Sequence, residues 1–360
     1  MSEIQIQKIK KTFGDFVAVE ESDLTIKDGE FFVLLGPSGC GKTTTLRMIA
    51  GLELPTSGKI LLDNEDVTFL RASQRDIAFV FQLFALYPHM NVKNNLSFPL
   101  KMQKFSKQEI NARINEVASL LRIEHLLNSK VSGLAGGDRQ RVALGRAIVR
   151  RPKAFLMDEP LGTLDAEFRE LMCLELRKLH NNIDATTVYV THDQLEAMSM
   201  GDRIAVMNEG KILQYGTPKD IYTKPKTKFV GAFIGSPSMN FIPIKHGIET
   251  GNQSVKIDNE EYKIPRSKQS STSQNNILGV RPEKMFLSDE KGIPGEIYGS
   301  EYLGTRKILT IQSLFGTYKV RVSNDVNLKI GSNVKINFES ESAIIFDNQT
   351  DKALLSDFIN

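Results

Sequence analysis

The 360-residue chain carries 46 Lys and Arg against 43 Asp and Glu, and a net charge of +3 gives no indication of a nucleic-acid partner. Its two cysteines, Cys40 and Cys173, argue against a disulfide framework and fit a reducing compartment. The N-terminal segment lacks the apolar core of a signal peptide, and no apolar run reaches the ~18 residues that span a bilayer. We therefore expect any membrane role to come from a partner.

Short apolar segments alternate with helical patterns over the first part of the chain. Four of these segments predict buried strands: "EFFVLLG" (30–36), "IAFVFQ" (77–82), "AFLMDE" (154–159) and "TVYVTH" (187–192). The alternation predicts an α/β sheet with helices on its faces. A mostly helical pattern predicts an inserted helical subdomain at about 88–152. The segment 216–235, with Pro218 and Pro225, predicts two short helices.

The composition changes after residue 236. Brief alternating stretches such as "KILTIQ", "YKVRV" and "VKINF", separated by Gly, Asn and Ser, predict an all-β region such as a small barrel. The polar run "SKQSSTSQNN" (267–276) predicts a surface loop. We therefore divide the chain into an α/β domain at 1–236 and a β-rich domain at 237–360.

The segment "GPSGCGKT" (36–43) matches the phosphate-loop pattern G-x-x-x-x-G-K-[ST] between a predicted strand and a predicted helix. Its glycines allow backbone N–H groups to turn toward a polyphosphate, and the helix start adds partial positive charge. Lys42 is expected to reach the β- and γ-phosphates, and the Thr43 hydroxyl to ligate Mg²⁺. A glycine-rich turn without a ligand is the alternative.

Asp158 and Glu159 end an apolar strand. Taken alone, such a pair is typical of a solvated loop or a helix cap. Its position downstream of a phosphate loop favours a role in chemistry, because carboxylates at the end of a neighbouring strand can hold Mg²⁺ beside the phosphates. Asp158 is expected to coordinate the metal, and Glu159 to orient or deprotonate the attacking water.

Two more polar residues, Gln82 and His192, follow apolar strands. Ligands of open α/β sheets bind at the carboxyl ends of the strands, so both residues are expected at the same edge. A lone His there is more often a satisfied surface residue. As a group, six residues are predicted to converge on one hydrolytic site: Lys42, Thr43, Gln82, Asp158, Glu159 and His192.

The order of these segments resembles the ATP-binding-cassette (ABC) ATPases. The resemblance is carried by the phosphate loop, Gln82, "LAGGD" (134–138), the Asp158 strand, "LGTLDA" (161–166) and "THDQLEAM" (191–198). It sharpens to the ATPase subunits of carbohydrate-type importers, such as those for maltose or glycerol-3-phosphate, through "FALYPHMNVKNNLSFPL" (84–100), "GSPSMNFIP" (235–243) and "GVRPE" (279–283). The fold it implies is a P-loop NTPase domain with a helical subdomain, followed by an oligonucleotide-fold-like regulatory domain.

The resemblance implies ATP and Mg²⁺ as ligands and assigns roles residue by residue. Lys42, Glu159 and His192 would serve catalysis, and Thr43, Gln82 and Asp158 would hold the metal. Phe13 occupies the place of an aromatic ring that stacks on adenine, which can contribute roughly 1 to 3 kcal/mol per base; ordinary core filling is the alternative. The full nucleotide-binding set is Phe13, Gly36, Pro37, Ser38, Gly39, Cys40, Gly41, Lys42, Thr43, Thr44 and Gln82.

The signature segment departs from the family's L-S-G-G-Q, which covers the nucleotide held by the other ATPase of a head-to-tail pair. Here Ala135, Gly136, Gly137 and Asp138 follow Leu134, so the serine hydroxyl is absent and an acid stands near an anion. A hydrogen bond from a hydroxyl to a charged phosphate is worth ~1.5 to 3 kcal/mol. Its loss is expected to slow a composite site by roughly 10- to 100-fold.

The "LGTLDA" loop also departs from the family, since Gly162 and Thr163 replace Ser and Asn while Asp165 is retained. Both altered segments lie where the family makes contacts across the dimer, whereas the residues that act on the chain's own nucleotide are intact. Drift in a working homodimer is one interpretation. A heterodimer with one weakened and one full composite site is the other, and it is slightly favoured.

The resemblance implies an ATPase that energises an importer for a carbohydrate-type solute from the cytoplasmic face of the membrane. Two permease subunits would contact the segment after Gln82 at four residues: Phe84, Tyr87, Pro88 and His89. An extracytoplasmic solute-binding protein would act through the permeases, and no nucleic acid is expected. The alternatives are a soluble cassette ATPase acting on nucleic acid or ribosomes, and a regulator that binds a partner.

Overall fold

The computed structural model describes residues 2–162, 164–183, 185–258, 260–273 and 275–359. The chain divides into two compact units, Met1–Pro218 and Lys219–Asn360. The short helices predicted at 216–235 are present, and this division groups them with the second unit. The domain boundary between residues 236 and 237 stays a prediction.

The first unit is an α/β structure. In chain order its elements are β1 (Ile4–Phe13), β2 (Phe16–Ile26), β3 (Phe31–Leu35), α1 (Lys42–Ala50), β4 (Ser57–Leu62), β5 (Glu65–Asp66), β6 (Ile77–Val80), α2 (Val92–Met102), α3 (Lys107–Leu121), α4 (Gly136–Ile148), β7 (Ala154–Asp158), α5 (Ala166–Asn182), β8 (Thr186–Thr191), α6 (Gln194–Met200), β9 (Arg203–Asn208) and β10 (Lys211–Gly216). One sheet has the order β10-β9-β3-β8-β7-β6 and another the order β2-β1-β4-β5. Strands β3, β6, β7, β8 and β9 of the first sheet run parallel to one another, so their carboxyl ends share one edge, whereas β10 pairs antiparallel with β9.

Helix α1 connects the sheet edge to the core. Leu46, Ile49 and Ala50 recur at helical spacing and are buried in one cluster with strand residues such as Phe32 and Leu34. The helix begins after Gly41 and ends at a left-handed Gly51, whose N–H bonds to the Met48 carbonyl. This packing holds the first turn of α1 at the end of β3.

Helices α2, α3 and α4 lie between β6 and β7, where the sequence predicts a helical insertion. Helix α3 begins with a capping box, because Ser106 and Glu109 each accept a hydrogen bond from the other's backbone N–H. On α4, a Cβ added to Gly145 would lie 2.9 Å from Leu96 and 3.0 Å from Leu121. The absence of a side chain at Gly145 therefore allows α4 to approach α2 and α3 closely.

The second unit contains α7 (Pro218–Thr223) from its second residue onward and α8 (Lys228–Phe233), and continues as β-structure. Its strands are β11 (Asn240–Ile244), β12 (Ser254–Ile257), β13 (Glu260–Lys263), β14 (Asn276–Val280), β15 (Met285–Ser288), β16 (Ile293–Tyr302), β17 (Lys307–Ser313), β18 (Gly316–Val322), β19 (Asn333–Phe338) and β20 (Ile344–Phe346). They form sheets with the orders β11-β14-β20, β12-β13 and β15-β19-β16-β17-β18 around a common apolar cluster. The prediction of an all-β region is confirmed.

The prediction that 267–276 is a surface loop is wrong in part. Ser267, Ser271 and Ser273 are buried, and Ser271 donates to Asn276 at 2.9 Å and to Asp347 at 2.5 Å. Buried polar groups are tolerated when they are hydrogen-bonded, and serines can then occupy the interior. The polar composition therefore concealed an internal hydrogen-bonded network.

Candidate functional site

The phosphate loop leads from β3 into α1. Gly41 has φ of +102°, a left-handed conformation that favours glycine, and a Cβ there would lie 2.6 Å from the Ala18 carbonyl oxygen. A Cβ at Gly36 would lie 2.2 Å from the Met207 carbonyl oxygen. These two positions therefore require glycine for backbone reasons alone.

Lys42 is the buried cation of this loop. Its Nζ donates to the carbonyl oxygens of Gly36 and Pro37, each at 2.8 Å, and lies 4.0 Å from Cys40 Sγ. Burial raises the pKa of the Cys40 thiol, so the thiol remains protonated beside Lys42. Lys42 thus supplies the positive charge at the base of the loop.

Thr43 in the first turn of α1 meets Asp158, the last residue of β7. The Thr43 Oγ1 donates to Asp158 Oδ1 at 2.8 Å. Burial raises the pKa of Asp158, while the hydrogen bond from Thr43 and the charge of Arg47 act in the opposite direction. A hydroxyl and a carboxylate are the hard oxygen donors that Mg²⁺ prefers, so this pair fits a magnesium ion held together with phosphate oxygens.

Glu159 follows Asp158 in a sharp turn with φ of 44°. Its N–H donates to the Val190 carbonyl oxygen at 3.0 Å, which fixes the turn against β8. The Glu159 Oε2 lies 3.2 Å from His192 Nδ1 and accepts from Gln82 Nε2 at 3.4 Å. The carboxylate is therefore held between two side chains from different strand ends.

The structure thus brings the sequence-predicted residues to one sheet edge. Thr43 touches Asp158, and Glu159 touches both Gln82 and His192. Gln82 lies two positions beyond the end of β6 at Val80, slightly later than its predicted place at the strand end. A site of this composition can bind phosphates, hold a hard cation and position a water molecule beside a carboxylate.

Phe13 ends β1 and pairs with Phe16 across the hairpin to β2. Its side chain is 49% exposed, and Lys11 Nζ lies 4.7 Å from the ring centroid. The alternative that Phe13 fills the core is therefore wrong. Phe16 is 63% exposed, so the hairpin presents a second exposed ring beside Phe13. The sequence analysis did not predict this ring, although Phe16 stands only three positions after Phe13.

The signature segment starts helix α4. Ala135 is the N-cap residue and makes no side-chain cap hydrogen bond, Gly136 and Gly137 form the first turn, and Asp138 lies in that turn. A Cβ at Gly137 would lie 2.2 Å from the Phe168 ring. The glycine therefore allows the start of α4 to pack against the Phe168 ring of α5.

The loop between β7 and α5 contains Asp165, the N-cap of α5, whose Oδ1 accepts from the Phe168 N–H at 2.9 Å. Asp165 thus has a local structural role in addition to its predicted role at the dimer contact. Gly162 N–H donates to the Glu159 carbonyl oxygen at 3.2 Å. Thr163 lies outside the described residues.

The segment after Gln82 is held by two residues that the sequence analysis missed. Arg146 of α4 donates to the carbonyl oxygens of Phe84 at 3.2 Å and Ala85 at 2.8 Å. Asn95 of α2 is buried, accepts from the Tyr87 N–H at 2.9 Å and donates to the Tyr87 carbonyl oxygen at 3.2 Å. No local pattern indicated these contacts, because they join residues from different helices to one loop.

Comparisons with known proteins identify the family of the chain. The chain matches the family model described as ABC transporter over residues 19–162, the model described as MalK OB fold domain over 235–285, and the TOBE domain over 278–346. In the described part of the chain, no helix has the length and apolar character needed to cross a membrane.

Two full-length relatives are similar to the chain. It is 45% identical to the trehalose/maltose import ATP-binding protein MalK of Thermococcus litoralis, covering 98% of this chain and 100% of the relative. It is 44% identical to the sn-glycerol-3-phosphate import ATP-binding protein UgpC of a Ruegeria species, covering 98% and 99%. Among solved structures, the dimeric bacterial ABC transporter cassette MJ0796 matches with a TM-score of 0.54 and 34% identity, covering 60% of this chain and 98% of that one.

Proposed function

Because the chain belongs to the ABC transporter ATPases that energise importers of carbohydrate-type solutes, we propose that Lys42, Thr43, Asp158, Glu159 and His192 form its hydrolytic site. The observation that supports this most directly is the pair of contacts at one sheet edge. Thr43 lies 2.8 Å from Asp158, and Glu159 lies 3.2 Å from His192. The first pair would hold the metal ion, and the second would position the attacking water.

In this proposal each side chain has a defined role, and Gln82 has two. Lys42 and the N–H groups of the loop neutralise the phosphates, and the exposed ring of Phe13 stacks on the adenine. Glu159 accepts a proton from the water that attacks the γ-phosphorus, while the bond from that phosphorus to the β–γ bridging oxygen breaks. His192 holds the Glu159 carboxylate from one side and Gln82 holds it from the other.

Thr43, Asp158 and Gln82 are proposed to hold Mg²⁺ together with the phosphates. Among the described residues, no cluster of three or more His, Cys, Asp or Glu side chains could hold a metal ion. Mg²⁺ does not need such a cluster, because it is usually bound by one or two carboxylates, water and substrate phosphates. When bound, the ion neutralises charge that develops on the phosphate oxygens.

The proposed partners are two permeases that dock on the segment with Phe84, Tyr87, Pro88 and His89. Leu83 beside them is 79% exposed, which gives an apolar surface at the same place. Docking there would place the chain at the cytoplasmic face of the membrane, with a solute-binding protein on the other side. The relatives' names suggest a sugar or glycerol phosphate as the solute, and the permeases and binding protein would select it.

The second ATPase is proposed to be a different chain with an intact signature. Ala135 offers no hydroxyl to a phosphate, and Asp138 stands in the first turn of α4 where an anion would approach. The chain's own phosphate loop would then work under a full signature, and the partner's loop under a weakened one. A homodimer with tolerated drift is the competing possibility.

Co-purification tests the partners. The full chain is tagged and isolated from membranes of its own organism, and the subunits are identified and counted by mass spectrometry. We expect two permeases and a second kind of ATPase. Two copies of this chain with full activity and no second ATPase would contradict the heterodimer, and ribosomal proteins or nucleic acid without permeases would contradict the import function.

The proposed domain boundary is tested by shortened chains ending at residue 218 or 236. Arg281 of the second unit is buried and donates to the carbonyl oxygens of Tyr222 and Gly231, so residues 219–236 have partners that truncation removes. We expect both shortened chains to bind ATP, because the residues proposed to contact the nucleotide precede residue 218. Loss of ATP binding in a folded chain that ends at 236 would contradict the boundary.

A further inference from the structure

Arg169 contacts both loops that flank the proposed hydrolytic site. It lies on α5, one turn after Asp165. Its Nη2 donates to the Leu164 carbonyl oxygen at 2.8 Å, and its Nη1 donates to Asp193 Oδ2 at 3.0 Å. Leu164 belongs to the loop proposed to meet the partner ATPase, and Asp193 directly follows His192. A single guanidinium therefore joins the two loops.

Backbone contacts close a ring through this guanidinium. Gly162 N–H donates to the Glu159 carbonyl oxygen at 3.2 Å, and Leu164 N–H donates to the Leu161 carbonyl oxygen at 3.1 Å. The ring is completed where Glu159 Oε2 lies 3.2 Å from His192 Nδ1. The two loops are thus joined twice, once by the contact between Glu159 and His192 and once through Arg169.

A buried carboxylate keeps Arg169 in this position. Glu196 Oε1 lies 3.6 Å from Arg169 Nε, while Glu196 Oε2 accepts from Tyr189 at 2.8 Å and from Thr191 at 2.6 Å. Arg169 faces both Asp193 and Glu196, and removing the cation would leave two acids side by side in a partly buried place. The guanidinium is therefore fixed by charge as well as by geometry.

We propose that Arg169 is a positioning residue for ATP hydrolysis. It holds the loop of Leu164, proposed to meet the partner ATPase (the cross-dimer loop), and the loop of Asp193 (the His192 loop) in one arrangement. When the partner ATPase engages the cross-dimer loop, this link would set the contact between His192 and Glu159. The proposal rests on the proposed roles of Glu159, His192 and the cross-dimer loop. The planar fork of arginine suits it, because Lys cannot donate to a carbonyl and a carboxylate in two fixed directions.

Arg177 provides a matched control on the same helix. Its Nη1 donates to the Met200 carbonyl oxygen at 3.0 Å, and its Nη2 donates to Asp202 Oδ1 at 2.7 Å. Its side chain is 32% exposed, compared with 28% for Arg169. Each arginine therefore donates to one backbone carbonyl and to one Asp beside an end of α6, and of the two only Arg169 contacts the loop proposed to meet the partner.

The experiment uses the full-length complex isolated through a tag on this chain. ATP hydrolysis is measured against ATP concentration for Arg169→Ala, Arg169→Lys, Arg177→Ala and Glu159→Gln, with thermal unfolding of each. We expect Arg169→Ala to lower kcat by ~10- to 100-fold with little change in KM for ATP, because misplacing reacting groups costs rate more than ground-state binding. Arg169→Lys should not rescue kcat.

Arg177→Ala is expected to keep kcat, even if its unfolding temperature falls as much as that of Arg169→Ala. A normal kcat in Arg169→Ala, an equal loss of kcat in Arg177→Ala, or full rescue by Lys would overturn the positioning role. Glu159→Gln separates the two proposals. If it hydrolyses ATP normally, the proposed hydrolytic site fails and the role of Arg169 with it; if it is inactive, the Arg169 result stands on its own.

Discussion

The sheet edge with the proposed hydrolytic site (the hydrolytic edge) and the signature helix α4 are built in different ways. At the edge, functional side chains touch one another across strand ends, as Thr43 touches Asp158 and Glu159 touches His192. At the signature, the helix starts at Ala135 without a side-chain cap, and Gly137 allows close packing against Phe168. Loss of a side chain therefore has different consequences in the two regions.

The difference explains how the signature can change without loss of the fold. The packing of helix α4 comes from Gly137 beside Phe168 and from buried residues such as Val142 and Leu144. Neither a serine at 135 nor a glutamine at 138 is needed for that packing. Change at these two positions therefore leaves the packing of α4 intact, while its proposed effect is confined to a partner's nucleotide.

The largest effect is expected at the hydrolytic edge. Glu159→Gln should keep ATP binding and lower single-turnover hydrolysis at this chain's site by ~10²- to 10⁴-fold, the usual contribution of a positioned base. The amide preserves the shape of the carboxylate but cannot accept the proton. Binding and hydrolysis are measured in the assembled complex, and Lys42→Ala serves as the contrast, since it should weaken ATP binding itself.

A heterodimer adds a check to this first prediction. Glu159→Gln in this chain should impair the complex far more than the equivalent change in the partner ATPase, because this chain's phosphate loop would lie under the intact signature. Equal losses from the two changes would contradict unequal sites.

The next effect tests the signature. Ala135→Ser combined with Asp138→Gln should raise hydrolysis at the weak composite site by at most ~10- to 100-fold, the value of one hydrogen bond to a charged phosphate. Asp138→Asn alone is the control, because it removes the charge without adding a hydroxyl. Rates are measured in complexes whose other site carries Glu159→Gln. No gain in the double variant would indicate that the weak site is limited elsewhere.

A third prediction concerns stability. Gly137→Ala should lower the free energy of unfolding by about 1 to 3 kcal/mol, because its Cβ would lie 2.2 Å from the Phe168 ring. Gly136→Ala is the matched control, since the nearest atom to its Cβ is Leu164 Cδ2 at 3.8 Å. Urea unfolding of the full chain measures both. Equal stability of the two variants would show that the signature glycines are not required by packing.

The smallest effect is expected at Asp165. Asp165→Ala should cost about 1 kcal/mol of stability through the lost N-cap of α5, whereas Asp165→Asn should keep the cap. Thermal unfolding measures both variants. Asp165→Asn then separates the two roles, because a fall in hydrolysis by the complex without a fall in stability would belong to the dimer contact alone.

Much of the site was predictable because its segments carry local patterns. The phosphate loop, the Asp158 strand and the His192 strand each combine an apolar run with polar residues at its end, and parallel strands bring such ends to one edge. The same reasoning failed at Ser267 and Ser271, where composition predicts solvent but hydrogen bonds to Asn276 and Asp347 stabilise burial.

The sequence by itself determined the α/β and all-β regions, the order of the motifs and the departures at Ala135 and Asp138, because periodicity and residue type are local properties. Only the tertiary structure decided that Arg146 holds the segment after Gln82 and that Arg169 joins two loops. Long cationic side chains are typical of any helix surface. Their partners come from distant parts of the chain, and these are chosen by how the helices pack rather than by neighbouring residues.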